Sequence, residues 1–262
     1  MRAVSVLFAT LLLIASPASA APAAEATIKG TGTVQASQVD PRSVELNEKA
    51  VIALQTKDLK HAEELLKEAL HADSGNLTAA YNLATVYLAL KEFKEAITLL
   101  KEYGSKTAGD ATFPARLGDV YFAMKNVKEA ITAYESALAI DPKSPGTCAK
   151  LGTLYTMSNR LADAEKILFL AVEQEPGNAD TLSNLSALLL ANGKPEQAVQ
   201  TAKRALQVNP TSRVYVIMGN AYQAQGDLNS AVIALQRALD MGDKTPDLKK
   251  NIELLQRAKQ EK

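Results

Sequence analysis

The chain has 262 residues, of which 47% are hydrophobic, and 29 Lys and Arg balance 29 Asp and Glu. A net charge of zero gives no bulk attraction to nucleic acid or to an anionic membrane, so the composition predicts no nucleic-acid partner. Cys148 is the only cysteine, which excludes a disulfide within the chain.

The first twenty residues have the composition of a secretory signal peptide. Met1 and Arg2 precede an apolar run from Ala3 to Ala15, and Ala18-Ser19-Ala20 supplies the small residues of a cleavage site. The run is well short of the roughly 20 residues that cross a bilayer. We expect cleavage after Ala20 and export, to the periplasm or alternatively by secretion, with no membrane span in the mature chain. Retention of residues 1–20 as an anchor is the other interpretation.

Residues 21–42 are rich in Ala, Thr, Gly and Ser and contain little that a core could bury. This composition predicts a flexible linker before the first helix.

From residue 43 onward a small residue recurs at successive gaps of 34, 34, 34, 34 and 33 residues. An alanine follows twelve residues after each member of this column. Self-similarity at this period is typical of stacked helical hairpins, each of which is too small to bury its apolar face alone. The small residues are expected where two helices cross closely. The small-residue column is Ala50, Ala84, Gly118, Gly152, Ser186 and Gly219, and the alanine column is Ala62, Ala96, Ala130, Ala164, Ala198 and Ala231.

A Leu-Gly-x-x-Tyr element occurs at residues 117–121 and again at 151–155, and Pro142, Pro176 and Pro210 close three of the units. In these features the chain resembles the tetratricopeptide repeat (TPR) family. The resemblance implies an all-α, right-handed superhelical solenoid, in which the first helix of each unit lines the concave side. It implies six helix-turn-helix repeats, at 43–76, 77–110, 111–144, 145–178, 179–212 and 212–245.

Between the two helices of a repeat, Gly193, Gly226 and Asn159 occupy one column that suits a positive φ. Lysines stand in the same column of the first three repeats and give a weaker turn signal. At the other end of the chain, residues 246–262 predict a capping helix that packs Leu248, Ile252 and Leu255 onto the last repeat.

The titratable residues do not form a recognisable catalytic or metal-binding constellation. His61 and His71 are ten residues apart, which misses the three- or four-residue spacing of two ligands on one helical face. Cys148 stands three repeats further on, in a column otherwise used for packing, so a buried small hydrophobe is favoured over a reactive thiol. We expect no enzyme activity, no cofactor and no metal.

Polar residues of the first helices are the candidate binding residues, because they are expected to face the concave groove. Asparagine can donate to and accept from an extended peptide backbone, and arginine or lysine can hold a carboxylate. The alternative is that each is an ordinary solvated residue. The candidates are Asn47, Asn82, Arg116, Asp119, Lys150, Asn184, Arg213 and Asn220.

Some members of the resembled family hold a chaperone's terminal carboxylate with five polar residues. Only Asn82 and Arg116 match that pattern here, so this specificity is not supported. The resulting hypothesis is an exported scaffold or adaptor of the cell envelope that binds a peptide segment or partner subunit in its groove. The alternatives are self-assembly into a homo-oligomer and an accessory role beside a glycan-processing enzyme.

Overall fold

The computed structural model describes residues 39–260, so the expected signal peptide and most of the expected linker lie outside the described residues. The described chain forms helices and no strand, which confirms the all-α class. The helices in chain order are α1 Pro41–Gln55, α2 Leu59–Ala72, α3 Leu77–Leu90, α4 Phe93–Lys106, α5 Thr112–Ala123, α6 Val127–Ile140, α7 Pro145–Met157, α8 Leu161–Gln174, α9 Ala179–Ala191, α10 Pro195–Val208, α11 Ser212–Ala224, α12 Leu228–Asp240 and α13 Leu248–Gln260.

The chain divides into two compact units, one ending at Leu90 and the other beginning at Lys91. In the first unit, α1 packs on both α2 and α3. Helix α1 begins two residues before the predicted start of the first repeat, because the Asp40 carboxylate accepts from the Arg42 N–H and caps it. A buried chain of hydrogen bonds fixes the three helices: Asn76 Nδ2 donates to Ser43 Oγ at 2.9 Å, and Ser43 Oγ donates to the Ala69 carbonyl at 2.8 Å.

In the second unit each helix from α4 to α13 packs against the next, and the tightest pairs are α5–α6, α7–α8, α9–α10 and α11–α12. The small-residue column lies where the two helices of a pair cross. A Cβ at Gly118 would lie 2.5 Å from Tyr134 Cε1, and one at Gly152 would lie 2.5 Å from Leu168 Cγ. These distances are far inside van der Waals contact, so a larger residue at either position would force the partner side chain to shift.

Ser186 is the one hydroxyl in the small-residue column, and its Oγ donates to the Ala198 carbonyl at 2.7 Å. The six alanines of the alanine column are all 0% exposed, as close helix packing predicts. Cys148 is also fully buried, and burial raises the pKa of its thiol.

The turns inside the helix pairs share one backbone conformation, whichever residue stands there. In the α5–α6 turn the N–H of Asn126 donates to the Tyr121 carbonyl five residues earlier, at 2.9 Å. This is the Schellman arrangement, which requires the residue before the donor to be left-handed. The glycine and asparagine prediction is confirmed, and the lysines of the column adopt the same conformation. The φ values are 62° at Lys57, 61° at Lys91, 60° at Lys125, 57° at Asn159, 70° at Gly193 and 80° at Gly226.

Seven residues after each member of the alanine column stands a further small residue, with one exception, which is Tyr103 of α4. This column is Ala69, Tyr103, Ala137, Ala171, Ala205 and Ala238. The Tyr103 ring stacks on Phe113 of α5, with centroids 6.2 Å apart, and both side chains are buried.

At the C-terminal end of the described chain, Leu248, Ile252 and Leu255 of α13 are buried against α12, as the predicted stripe requires. Among the described helices, none is both long and apolar enough to cross a membrane.

Candidate functional site

In the first unit the structure joins the two asparagines predicted to bind a partner. Asn82 Nδ2 of α3 donates to Asn47 Oδ1 of α1 at 2.8 Å. The pair is half-buried and links the first helices of two successive hairpins. One donor and one acceptor of the predicted site are therefore used inside the protein.

In the second unit three predicted residues meet in what we call the Asp119 cluster, formed by Arg116, Asp119, Tyr134 and Lys150. Asp119 Oδ1 accepts from the Tyr134 hydroxyl and from Lys150 Nζ, both at 2.6 Å, and Asp119 Oδ2 accepts from Arg116 at 3.2 Å. Because Tyr134 belongs to α6 and Lys150 to α7, one carboxylate connects three helices.

Burial differs sharply among the charged members of the Asp119 cluster. The side chains of Asp119 and Arg116 are 16% and 21% exposed, whereas that of Lys150 is 54% exposed. Burial, and then the neighbouring Asp119 carboxylate, raises the pKa of the Tyr134 phenol well above its ordinary value. Tyr134 therefore remains a proton donor to Asp119 at any physiological pH.

The remaining first helices are joined by what we call the Asn184 chain, formed by Thr153, Asn184 and Arg213. Arg213 of α11 donates to Asn184 Oδ1 at 2.9 Å, and Asn184 Nδ2 donates to Thr153 Oγ1 of α7 at 3.3 Å. Thr153 in turn donates to the Ala149 carbonyl at 3.0 Å. Asn220, the last predicted residue, lies half-buried on α11, one residue after Gly219.

We use the name first-helix face for the members of these two groups that lie on α5, α7, α9 and α11, together with Asn220 and the exposed apolar side chains of Phe122 and Met157. Its members are Arg116, Phe122, Asp119, Lys150, Thr153, Met157, Asn184, Arg213 and Asn220. Bonds bring Arg116, Asp119 and Lys150 together in one group and Asn184 and Arg213 in the other, and Asn220 belongs to neither group. Lys150 and Arg213 are the members that remain exposed as cations.

Sequence analysis missed two exposed apolar members of this face. Phe122 of α5 is 40% exposed and Met157 of α7 is 49% exposed. A signal was present for Met157, because Ala123, Ala191 and Ala224 occupy the equivalent positions of the neighbouring repeats. A bulky apolar residue where the neighbouring repeats have alanine marks a side chain that the shared packing does not require.

A shallow cavity of about 530 Å³ lies away from the first-helix face, against α8 and Tyr155. The Tyr155 hydroxyl donates to Glu135 at 2.6 Å, and Arg160 lies over the Tyr155 ring at 4.1 Å from its centroid. Burial and the Glu135 contact raise the pKa of Tyr155 to about 12.

Within the described residues no three His, Cys, Asp or Glu side chains lie close enough to hold a metal ion.

Most of this helical chain corresponds to a known family. The model of the cilia and flagella-associated protein 70 C-terminal domain, a TPR domain, matches residues 6–254. The chain therefore belongs to this family of tetratricopeptide repeat domains. No curated protein sequence gives a significant match to the chain.

Several solved structures share the fold at low sequence identity. PilF of Pseudomonas aeruginosa is 16% identical, with a TM-score of 0.70 over 80% of this chain and 96% of its own. Cut9 in the APC/C hetero-tetramer Cut9–Hcn1 is 15% identical, with a TM-score of 0.65 over 82% of this chain and 43% of its own. YrrB, described as a TPR protein with an unusual peptide-binding site, is 20% identical, with a TM-score of 0.53 over 70% of this chain and 92% of its own.

Proposed function

We propose that this protein is a non-catalytic scaffold of the cell envelope that binds a peptide segment or partner subunit along its first helices. The observation that carries the proposal is the first-helix face. In the second unit it presents two cations and two large apolar side chains to solvent, and these side chains lie on the first helices α5, α7 and α11. Exposed aromatic, Met and Arg side chains are the types enriched in protein interfaces.

The structural relatives support this proposal by what they bind. YrrB has a peptide-binding site, and Cut9 assembles with Hcn1 in a hetero-tetramer. Repeat arrays suit such roles because each hairpin adds one strip to a continuous binding surface. The envelope location rests on residues 1–20, and the expected cleavage after Ala20 is tested by sequencing the N-terminus of the protein recovered from a periplasmic fraction.

Binding to the first-helix face can be tested with introduced tryptophans, because the chain contains none. Ala191 lies exposed at the end of α9, in the same column as Met157. An Ala191→Trp variant places an indole on the proposed surface. As the matched control, Gln200→Trp places one at an exposed position of α10, which is a second helix. A ligand of the first-helix face shifts the emission of the first variant and not that of the second.

The partner for this experiment is first sought by crosslinking the mature protein in its native compartment and is then purified. Equal responses of both tryptophans, or a response at Gln200→Trp alone, would overturn the assignment of binding to the first helices. Sedimentation across a concentration series tests the alternative of self-assembly, because a lasting monomer removes it.

A further inference from the structure

The part of the first-helix face on α5 and α7, which we call the α5–α7 face, has a cationic end and an apolar end. Its members are Arg116, Asp119, Phe122, Lys150 and Met157. The cationic end contains Arg116 and Lys150, and the apolar end contains Phe122 and Met157, which are 40% and 49% exposed. The two ends differ in the ligand chemistry they favour.

Helix geometry fixes the distance between the two ends. Met157 follows Lys150 by seven residues, or two helical turns on one side of α7, which is about 10 Å along the axis. Phe122 follows Arg116 by six residues on α5, which is about 9 Å. The bond of 2.6 Å between Lys150 Nζ and Asp119 Oδ1 holds α7 beside α5 at the cationic end.

The formal charges of Arg116, Lys150 and Asp119 sum to +1. Two cations share the single carboxylate of Asp119, whose oxygens also hold the Tyr134 hydroxyl. An ammonium has three N–H donors, and Asp119 takes one from Lys150. The Lys150 side chain is 54% exposed, so an arriving carboxylate can reach its ammonium without displacing Asp119.

We propose that the α5–α7 face binds an extended segment of a partner protein that carries a side-chain carboxylate and a large apolar side chain about 10 Å apart. In an extended chain of the polyproline II type, with three residues per turn and a rise of about 3.1 Å per residue, side chains three residues apart lie on one side and about 9 Å from each other. The carboxylate binds Lys150, and the apolar side chain packs on Met157 and Phe122. The inference rests on the proposed function and names the chemical class of its ligand.

Short labelled peptides with acetylated and amidated ends test this inference, because blocked ends carry no terminal carboxylate. The reference peptide has Asp and Leu three residues apart in a Gly-Ser background. Matched peptides replace Asp by Asn, replace Leu by Ala, or bring the two residues next to each other. Fluorescence anisotropy with the full mature chain gives each Kd, and we expect the reference peptide to bind most tightly.

Protein variants locate the contacts. Lys150→Gln removes the ammonium, and Asp119 keeps its bonds to Arg116 and Tyr134. We expect this variant to bind the Asp peptide about fivefold more weakly and the Asn peptide unchanged. Met157→Ala should weaken the Leu peptides and not the Ala peptide. Lys128→Gln, at an exposed position of α6, makes the same charge change elsewhere and should alter neither.

The outcomes separate this inference from the proposed function. If the Asp and Asn peptides bind equally, and Ala191→Trp reports both, the ligand class is wrong and binding to the first-helix face stands. If peptides bind but neither Ala191→Trp nor Lys150→Gln responds, both proposals are wrong. If no peptide binds below about 1 mM, while a purified partner shifts the Ala191→Trp emission, this inference alone is overturned.

Discussion

The two groups of the first-helix face use the same backbone repeat and are held in different ways. In the Asp119 cluster one largely buried carboxylate gathers two cations and a phenol, whereas the Asn184 chain runs through an amide and a hydroxyl to a single exposed arginine. Arg116, Lys150 and Asn184 occupy one column of the repeat, two residues before the small residue. The carboxylate is special to this repeat, because the residue after the small one is Asp119 on α5, Thr153 on α7 and Ala187 on α9. Repeat geometry therefore sets which side chains meet, and a single acidic residue decides whether their junction is ionic.

The largest expected effect comes from a side chain at Gly118, beneath the Asp119 cluster. Gly118→Leu would collide with the Tyr134 ring, which lies 2.5 Å from an ideal Cβ, and would move the hydroxyl that holds Asp119. We expect the free energy of unfolding to fall by about 3 kcal/mol, measured by chemical denaturation. Gly146→Leu is the matched control, because nothing lies within 4 Å of a Cβ there. A similar loss in both variants would show that the helix crossing is not the cause.

Removal of the central carboxylate should have the next largest effect. Asp119→Ala leaves the Arg116 guanidinium, the Tyr134 hydroxyl and Lys150 without their common acceptor, and we expect a loss of about 2 kcal/mol. Asn184→Ala, the comparable change in the Asn184 chain, removes two exposed or part-buried bonds and should cost about 0.5–1 kcal/mol. Equal losses would contradict the contrast between an ionic and a neutral junction. Thermal and denaturant unfolding of both variants measure it.

The packing columns could be predicted from the sequence because they reflect volume. Where two helices cross closely, there is room only for a small side chain. This limit on side-chain size recurs in every repeat, and Ala62 and Ala164 are accordingly buried at the expected positions. The cap of α13 was predictable for the same reason, since Leu248, Ile252 and Leu255 form one helical stripe.

The partners of the polar residues could not be predicted in this way. Asp119 contacts Tyr134 and Lys150, which are 15 and 31 residues away, and nothing in the repeat period requires those rotamers. Tyr134 was not among the site candidates, because it lies on a second helix and the candidates were polar residues of the first helices. The left-handed lysines are a second example: intrinsic preference disfavours φ near 60° for Lys125, but the helix pair requires it.

A smaller effect, confined to high pH, should distinguish the phenols of Tyr155 and Tyr134. The pKa of Tyr155 is raised from its ordinary value to about 12, so its neutral form is favoured in the folded protein. The stability it contributes is complete below about pH 10 and is lost as the pH rises toward 12. Tyr155→Phe should therefore flatten the fall in unfolding free energy within this window. In a titration of the native protein followed by tyrosinate absorbance, Tyr155→Phe should show one fewer tyrosine that ionises at high pH. Tyr134 of the Asp119 cluster should ionise at a still higher pH. A wild-type titration in which every phenol ionises together would contradict this assignment.

The smallest effect concerns the turns, in which the α5–α6 pair has Lys125 where the α9–α10 pair has Gly193. Both residues are left-handed, at φ values of 60° and 70°, and both are exposed. A residue with a Cβ is strained in this conformation and glycine is not, so Lys125→Gly should stabilise the protein. The gain should be less than about 1 kcal/mol, because glycine also increases the entropy of the unfolded chain. Gly193→Lys should destabilise it by a similar amount, which denaturation midpoints at constant m would show. If Lys125→Gly is instead destabilising, the lysine stem contributes packing that outweighs its backbone strain, and the two turns differ in more than conformation.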